Sequence, residues 1–279
     1  MCENRRDFLP CPQQQLLPAL RGSFRLLLME QARLIIDEPR AGSTNMAIDE
    51  AILTAVGQGQ AAPTLRSYRW STATISLGHF QKHAQIAELP QAFSSLPIVR
   101  RITGGGAILH DAELTYSLIL PVGHQLVANR APAAGYGAVH EALIAVLASH
   151  GLSAQLRSGA PPASSQRGPF FCFERINPSD VTINGKKIAG SAQRRTLNSF
   201  LQHGSLMLGN PLGQPGLATM ADFQLVNPPT AEDLALEWAK QLGATLQLEL
   251  VPDKLNDIEM ALLDSLREKY ASDCWTNRR

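Results

Sequence analysis

The chain has 279 residues, and its 25 lysines and arginines are matched by 24 aspartates and glutamates, for a formal net charge of +1 at pH 7. So even a balance argues against holding nucleic acid or an anionic membrane by bulk charge. With 44% hydrophobic and 18% charged residues, disorder over most of the length is excluded and a substantial core is expected.

Residues 1–24 are rich in Gln, Pro and Arg without periodicity, and read as a disordered N-terminal extension. Residues 25–279 are expected to form a single catalytic domain, because cores usually stop growing at about 250 to 300 residues. RLIIDEP (33–39) predicts a buried strand. Ser43 and Thr44 offer N-cap oxygens to a helix carrying Met46, Ile48, Ile52, Leu53 and Val56, which Gly57 and Gly59 stop. Strands are predicted at 64–70, 73–78, 97–103 and 114–121, then a helix over 132–150 ended by Gly151. SGAPPASSQRGP (158–169) reads as a mobile surface loop. Asn184-Gly185 between VTI and KKIAGSAQ predicts a two-residue hairpin, since both residues tolerate the positive φ of a type I′ turn. A strand at 199–208, a helix at 231–242, a strand at 245–251 and a helix at 254–270 complete the pattern. Strands in adjacent groups, separated by a few helices, give an α+β (mixed α/β) class: a mixed sheet with flanking helices, packed mainly on one side.

Cys2, Cys11, Cys172 and Cys274 form no CxxC pair and no disulfide framework, which suits a reducing, cytoplasmic setting. No apolar run approaches the ~18 residues of a membrane span, so neither anchor nor signal peptide is expected. The seven histidines show no metal-binding spacing. No Gly-x-Ser-x-Gly elbow is present either.

Four segments can carry chemistry. RRITGGGAILHD (100–111) sets three glycines after an apolar strand, so backbone N–H groups can approach a ligand closely; without flanking arginines it would read simply as a tight turn. Adjacent strand residues face opposite ways, so one of Arg100 and Arg101 faces the loop and the other is a surface or sheet-face charge. Cys172 sits among phenylalanines between the loop and the hairpin, either a small buried hydrophobe or a nucleophile in an aromatic slot. In GKKIAGSAQRR (185–195), Lys186 is solvated, while Lys187 shares a face with small Ala189 and Ser191 and is able to reach a carbonyl or favour a nearby thiolate. His203, in QHGSL, is either a satisfied structural histidine or part of a site.

TNMAIDEAIL, PTLRSYRW, ISLGHFQ, RRITGGGAILHD, the FCF around Cys172, NGKKIAGSAQRR and LQHGSLML together resemble the lipoate-protein ligase A and octanoyltransferase superfamily, in order from about residue 33 onward. Within it the chain looks most like the cysteine-dependent, ligase-A-like octanoyltransferases. The resemblance implies a biotin/lipoate protein ligase-like fold, in which the glycine segment and the lysine strand wall an acyl tunnel. It implies an acyltransferase of lipoate biosynthesis that takes octanoyl from acyl carrier protein through a Cys172 thioester. The acceptor is a lysine of a lipoyl domain, on glycine cleavage H protein or a 2-oxoacid dehydrogenase subunit. Lys187 would bind the acyl carbonyl. Arg101, Thr103, Gly104, Gly105, Gly106 and Ala107 would line the substrate from the loop, with Gly190, Ser191, Ala192 and Gly204 opposite. His110 and His203 are both candidates for the base. No cofactor, metal, nucleic acid or membrane enters this scheme. Three other readings stay open: an ATP-dependent lipoate-protein ligase with an incidental Cys172, an amidotransferase between lipoyl-type domains, and a non-catalytic acyl-binding protein.

Overall fold

The computed structural model describes residues 29–128, 132–157, 169–175, 177–214 and 216–279. The expected N-terminal extension and nearly all of the expected 158–169 loop lie outside the described residues. In chain order the elements are β1 (Glu30–Ile36), α1 (Gly42–Gly57), β2 (Thr64–Tyr68), β3 (Thr74–Leu77), the one-turn α2 (Gln91–Ser94), β4 (Ile98–Arg100), β5 (Ile108–His110) and β6 (Glu113–Pro121). The one-turn α3 (Gln125–Ala128), α4 (Pro132–Ser149), β7 (Gln155–Leu156), β8 (Val181–Ile183), β9 (Lys186–Arg195) and β10 (Ser199–Met207) follow. The remaining elements are α5 (Ala231–Leu246), β11 (Leu248–Pro252), α6 (Asp257–Ala271) and the one-turn α7 (Asp273–Thr276).

Eight strands form the main sheet in the order β11-β1-β2-β6-β10-β9-β8-β7. β1 is parallel to both β11 and β2, and every pairing from β2 through β6 to β7 is antiparallel. A small second sheet, β4-β3-β5, presents the glycine segment between β4 and β5. The mixed α+β expectation is met, and the Asn184-Gly185 hairpin forms with φ of 50° and 77°.

One expectation is corrected. Helices cover both faces of the main sheet: one face of the central strands is apolar, and the other buries Arg66, Ser117 and His203 beside apolar Ile119 and Leu201, their polar groups matched by Asp49 of α1. Along β6, Leu114, Tyr116, Leu118 and Leu120 pack with α4 and α5, while Ile119 joins Ile35 and Leu201 against α1 and α6.

Three helix boundaries differ from the sequence reading for local reasons, among them the start of α6, which the Asn256/Glu259 capping box sets at Asp257 rather than 254. α1 starts earlier than Ser43 and Thr44 suggested, with Ala41 at the cap and no side-chain cap bond; packing of Ala47, Ile48, Ala51 and Ile52, all with no exposed surface, holds it instead. α5 has its Thr230/Asp233 capping box and runs on to a left-handed Gln247, so residues 245 and 246 end the helix rather than start a strand. Among the described residues no helix is long and apolar enough to cross a membrane.

Candidate active site

The glycine loop is strung on Arg101. Its guanidinium donates to the carbonyls of Gly104 at 2.8 Å, Gly106 at 2.6 Å and Ser76 at 2.9 Å, and to the Thr103 hydroxyl at 3.1 Å. Burial pushes the Arg101 pKa down to about 10, so the side chain stays charged at neutral pH and acts as an internal clamp. Arg100 points the other way, as strand alternation requires, yet it is not a surface charge: it is fully buried and donates to the carbonyls of Thr276, Gly78 and Gln81. A guanidinium with five donors can be buried where carbonyls converge on it.

Gly105 holds φ at +94°, a conformation that side chains rarely adopt. Among the described residues no acceptor takes the amide N–H of Gly104, Gly105 or Gly106, and all three residues line the cavity described below. Ala107 differs from the sequence expectation. Its amide donates to the Phe170 carbonyl at 3.0 Å while its carbonyl accepts from the Cys172 amide at 2.6 Å. Ala107 is therefore committed to holding the cysteine segment and has no amide to offer a substrate.

That bridge sets Cys172 at the start of a 3-10 turn, Cys172–Glu174, and brings it to Lys187. Lys187 Nζ lies 3.8 Å from Cys172 Sγ, donates to the Cys172 carbonyl at 3.3 Å, and pairs with the Asp180 carboxylate at 2.8 Å. Its stem crosses Gly190, where a Cβ would collide with the lysine Cε, so the glycine is what lets the ammonium fold back toward the sulfur. Burial raises the Asp180 carboxyl above its ordinary pKa, outweighing the opposing pull of Lys187.

Cys172 and Asp180 line a cavity of about 490 Å³ whose walls include Gly104, Gly105 and Gly106 on one side and Ser191 and Ala192 on the other. Two residues of α4, Tyr136 and His140, complete it. His140 Nδ1 is hydrogen-bonded to the Ser179 carbonyl, so Nδ1 carries the proton and Nε2 accepts from the Ser191 hydroxyl at 2.6 Å. Burial draws its pKa down to about 4 and keeps the ring neutral. The chain of hydrogen bonds continues from Ser191 to the Tyr116 hydroxyl at 2.7 Å and on to Gln202 at 2.7 Å.

Sequence reading missed His140, Tyr136 and Asp180. Their signals were faint: a Tyr and a His four apart on one helix face, and an Asp closing the turn before the hairpin.

The two histidines singled out from sequence lie elsewhere. His110 stacks on Trp70, centroids 3.8 Å apart, with Nδ1 2.6 Å from Glu113 and Nε2 2.7 Å from Ser76. Burial lowers its pKa. His203 joins the Thr103 hydroxyl at 2.7 Å and Asp49 at 3.2 Å. Both support the loop from behind, through Ser76 and Thr103, and neither lines the cavity. Gly204 lets β10 approach β9 closely, since a Cβ there would collide with the Gly190 carbonyl and Ser191 Oγ.

Comparison with known proteins identifies the family. Residues 41–235 match the model of the lipoyl protein ligase A/B catalytic domain. The chain is 34% identical over 277 residues to octanoyltransferase LipM of Brevibacillus brevis, covering 90% of this chain and 100% of the relative. It is 32% identical over 279 residues to octanoyltransferase LipM of Clostridioides difficile, again covering 90% and 100%. Among solved structures, lipoate-protein ligase A bound with ATP superposes with a TM-score of 0.70 at 20% identity, over 88% of this chain and 98% of that one. A bipartite lipoate protein ligase of Thermoplasma acidophilum, studied with its E2 lipoyl domain, gives 0.67 at 21% identity, over 89% and 96%. At such identities the structural likeness speaks for the fold alone.

Proposed function

The chain belongs to the lipoyl protein ligase A/B catalytic-domain family and is an acyltransferase moving octanoyl groups in lipoate biosynthesis, and from that premise we propose that it works through a Cys172 acyl-enzyme. The donor in this reading is octanoyl-acyl carrier protein. The acceptor is a lysine of a lipoyl domain, on glycine cleavage H protein or a 2-oxoacid dehydrogenase subunit, in the cytoplasm. The observation that carries it is the 3.8 Å contact of Cys172 Sγ with Lys187 Nζ beside a cavity lined by Cys172 and the three glycines.

In the first half-reaction the Cys172 sulfur bonds to the thioester carbonyl carbon. The negative charge moves to the carbonyl oxygen, where the Lys187 ammonium and the amides of Gly104 to Gly106 meet it. Collapse breaks the bond to the carrier's sulfur, which leaves as the thiol with the proton that Cys172 gave up. One thioester replaces another. In the second half-reaction the acceptor amine bonds to the same carbon, and its proton, far more acidic once nitrogen is acylated, passes through the Ser191 hydroxyl to the neutral His140. The Cys172 thiolate departs and an amide remains. Thioester to amide is downhill, so no ATP is consumed. Asp180 holds Lys187 in place throughout, and the buried Arg101 keeps the loop donors aimed.

Intact-protein mass spectrometry tests this with octanoyl-acyl carrier protein and no ATP. Wild type should gain one octanoyl group and lose it to an added lipoyl domain, while Cys172→Ala should gain none. Transfer that needs ATP and free octanoate, and that survives Cys172→Ala, would make the protein a ligase.

A further inference from the structure

A second cavity, of about 680 Å³, lies between the C-terminal half of α1, the β9–β10 turn and the segment around α7. Its charges do not cancel. Lys269 is occupied by both oxygens of Glu50, at 2.8 and 2.6 Å. Arg194 and Arg278, which also line it, have no carboxylate partner among the described residues. Arg278 lies over the Trp275 ring at 4.5 Å and donates to His79 Nε2 at 3.1 Å. The His79 proton therefore sits on Nδ1, a buried atom with no hydrogen-bond partner among the described residues. Partial burial, and then the charges of Arg278, Arg194 and Arg279, hold this imidazole below its ordinary pKa and so neutral. Two guanidinium groups with no carboxylate partner among the described residues, on one groove, make a site for anions.

The groove adjoins the catalytic cavity. Ala192 walls one and Arg194 the other, on the same face of β9. The His79 amide donates to the Thr103 carbonyl at 2.8 Å, and Phe80 reaches to within 4.0 Å of where a Cβ of Gly104 would lie. From Gly190, over which the Lys187 ammonium folds, to Arg194 is four strand residues, or ~13 Å. The four-carbon stem of a lysine is too short for that span. A thiol-ended prosthetic arm is not. The rim adds two exposed apolar side chains, Leu197 and Phe80, at 92% and 65% exposure.

We propose that this groove is the docking site of the acyl donor's carrier, an acidic protein whose thioester arm runs along β9 from Arg194 to Cys172. The proposal rests on the acyl-transfer reading above.

The test is acyl-enzyme formation by wild type and by Arg194→Glu, Arg278→Glu and the double variant. Two donors are compared, octanoyl-acyl carrier protein and octanoyl-pantetheine, the second lacking both protein and phosphate. Charge reversal should lower kcat/KM for the carrier-borne donor about tenfold or more, through KM, and flatten its salt dependence. Transfer from octanoyl-pantetheine should stay within about twofold, because neither arginine touches the reacting atoms. Equal loss with both donors, or no loss with either, would overturn the proposal. So would a rise confined to the KM of the lipoyl domain, which would give the groove to the acceptor. If wild type takes octanoyl from neither donor, the acyl-enzyme reading itself fails, and the docking proposal with it.

Discussion

Arg66 and Lys187 are both buried cations, and each meets a carboxylate at 2.8 Å. Arg66 shares its donors among Asp37, Asp49 and both oxygens of Asn45, and its guanidinium lies 3.9 Å over the Tyr68 ring. Asp49 in turn accepts from Tyr68 and Ser117 and meets His203. Burial alone would raise the Asp49 carboxyl, but the hydrogen bond from His203 and the charge of Arg66 hold it below its ordinary range. Every polar group there is matched by another within the fold. Lys187 has one carboxylate, one carbonyl and a sulfur, and the residues that supply them, Asp180 and Cys172, line a cavity. A saturated cluster fixes the position of a loop, whereas an ammonium that spends one of its three donors on a sulfur 3.8 Å away can turn that donor to a charge that appears only during reaction.

The contrast can be broken from either end. Arg66→Met takes the cation from the buried Asp49 and leaves Asp37 to Arg40 alone, and denaturant unfolding should show a loss of about 3 to 5 kcal/mol. A loss below about 1 kcal/mol would mean that the cluster is not the structural one. Lys187→Met also unpairs the buried Asp180 and should lower stability, by less than Arg66→Met because burial already raises the Asp180 pKa and eases its protonation; its distinguishing effect is on acyl-enzyme formation, slowed by about 10²- to 10³-fold, the typical effect of removing one oxyanion donor.

A third probe is pH. His140 is held at about 4 in the fold against an ordinary 6.5, so the stability it contributes is full above pH 6.5 and is lost as pH falls toward 4. Its slope is at most about 1.4 kcal/mol per pH unit, and His140→Gln should flatten that part of the stability profile. The smallest effect is expected at Lys186, one residue from Lys187 but exposed on the opposite face of β9. Lys186→Ala should change stability by no more than about 0.5 kcal/mol and leave transfer intact.

Locally written features were legible in the sequence. The hairpin turn announces itself in Asn184-Gly185, the loop in three glycines, and the opposed faces of Lys186 and Lys187 in strand alternation. Pairings across long stretches of chain were not. Arg100 looked like a surface charge because its acceptor, the Thr276 carbonyl, lies 176 residues away. His140 was overlooked because Ser179 and Ser191, which fix its tautomer, are 39 and 51 residues off on other elements. The two-sided cover of the sheet followed the same rule: its second face carries Arg66, Ser117 and His203, polar residues whose match with Asp49 of α1 shows only in the assembled order. The meeting of Cys172 with Lys187 was reachable through family resemblance, since no spacing in the sequence brings a 3-10 turn to a strand.

The parallel pairing of β1 with β11 joins Glu30 to Leu248. At typical synthesis rates of ~5 to 20 residues per second, the outer edge of β1 would wait roughly 10 to 40 s on the ribosome for its partner. An uncovered parallel edge invites foreign strands during that interval. Arg33, whose carboxylate partner Glu259 is 226 residues later in the chain, puts an unmatched charge on the waiting strand. The same residue that locks the finished fold thus discourages aggregation of the nascent one.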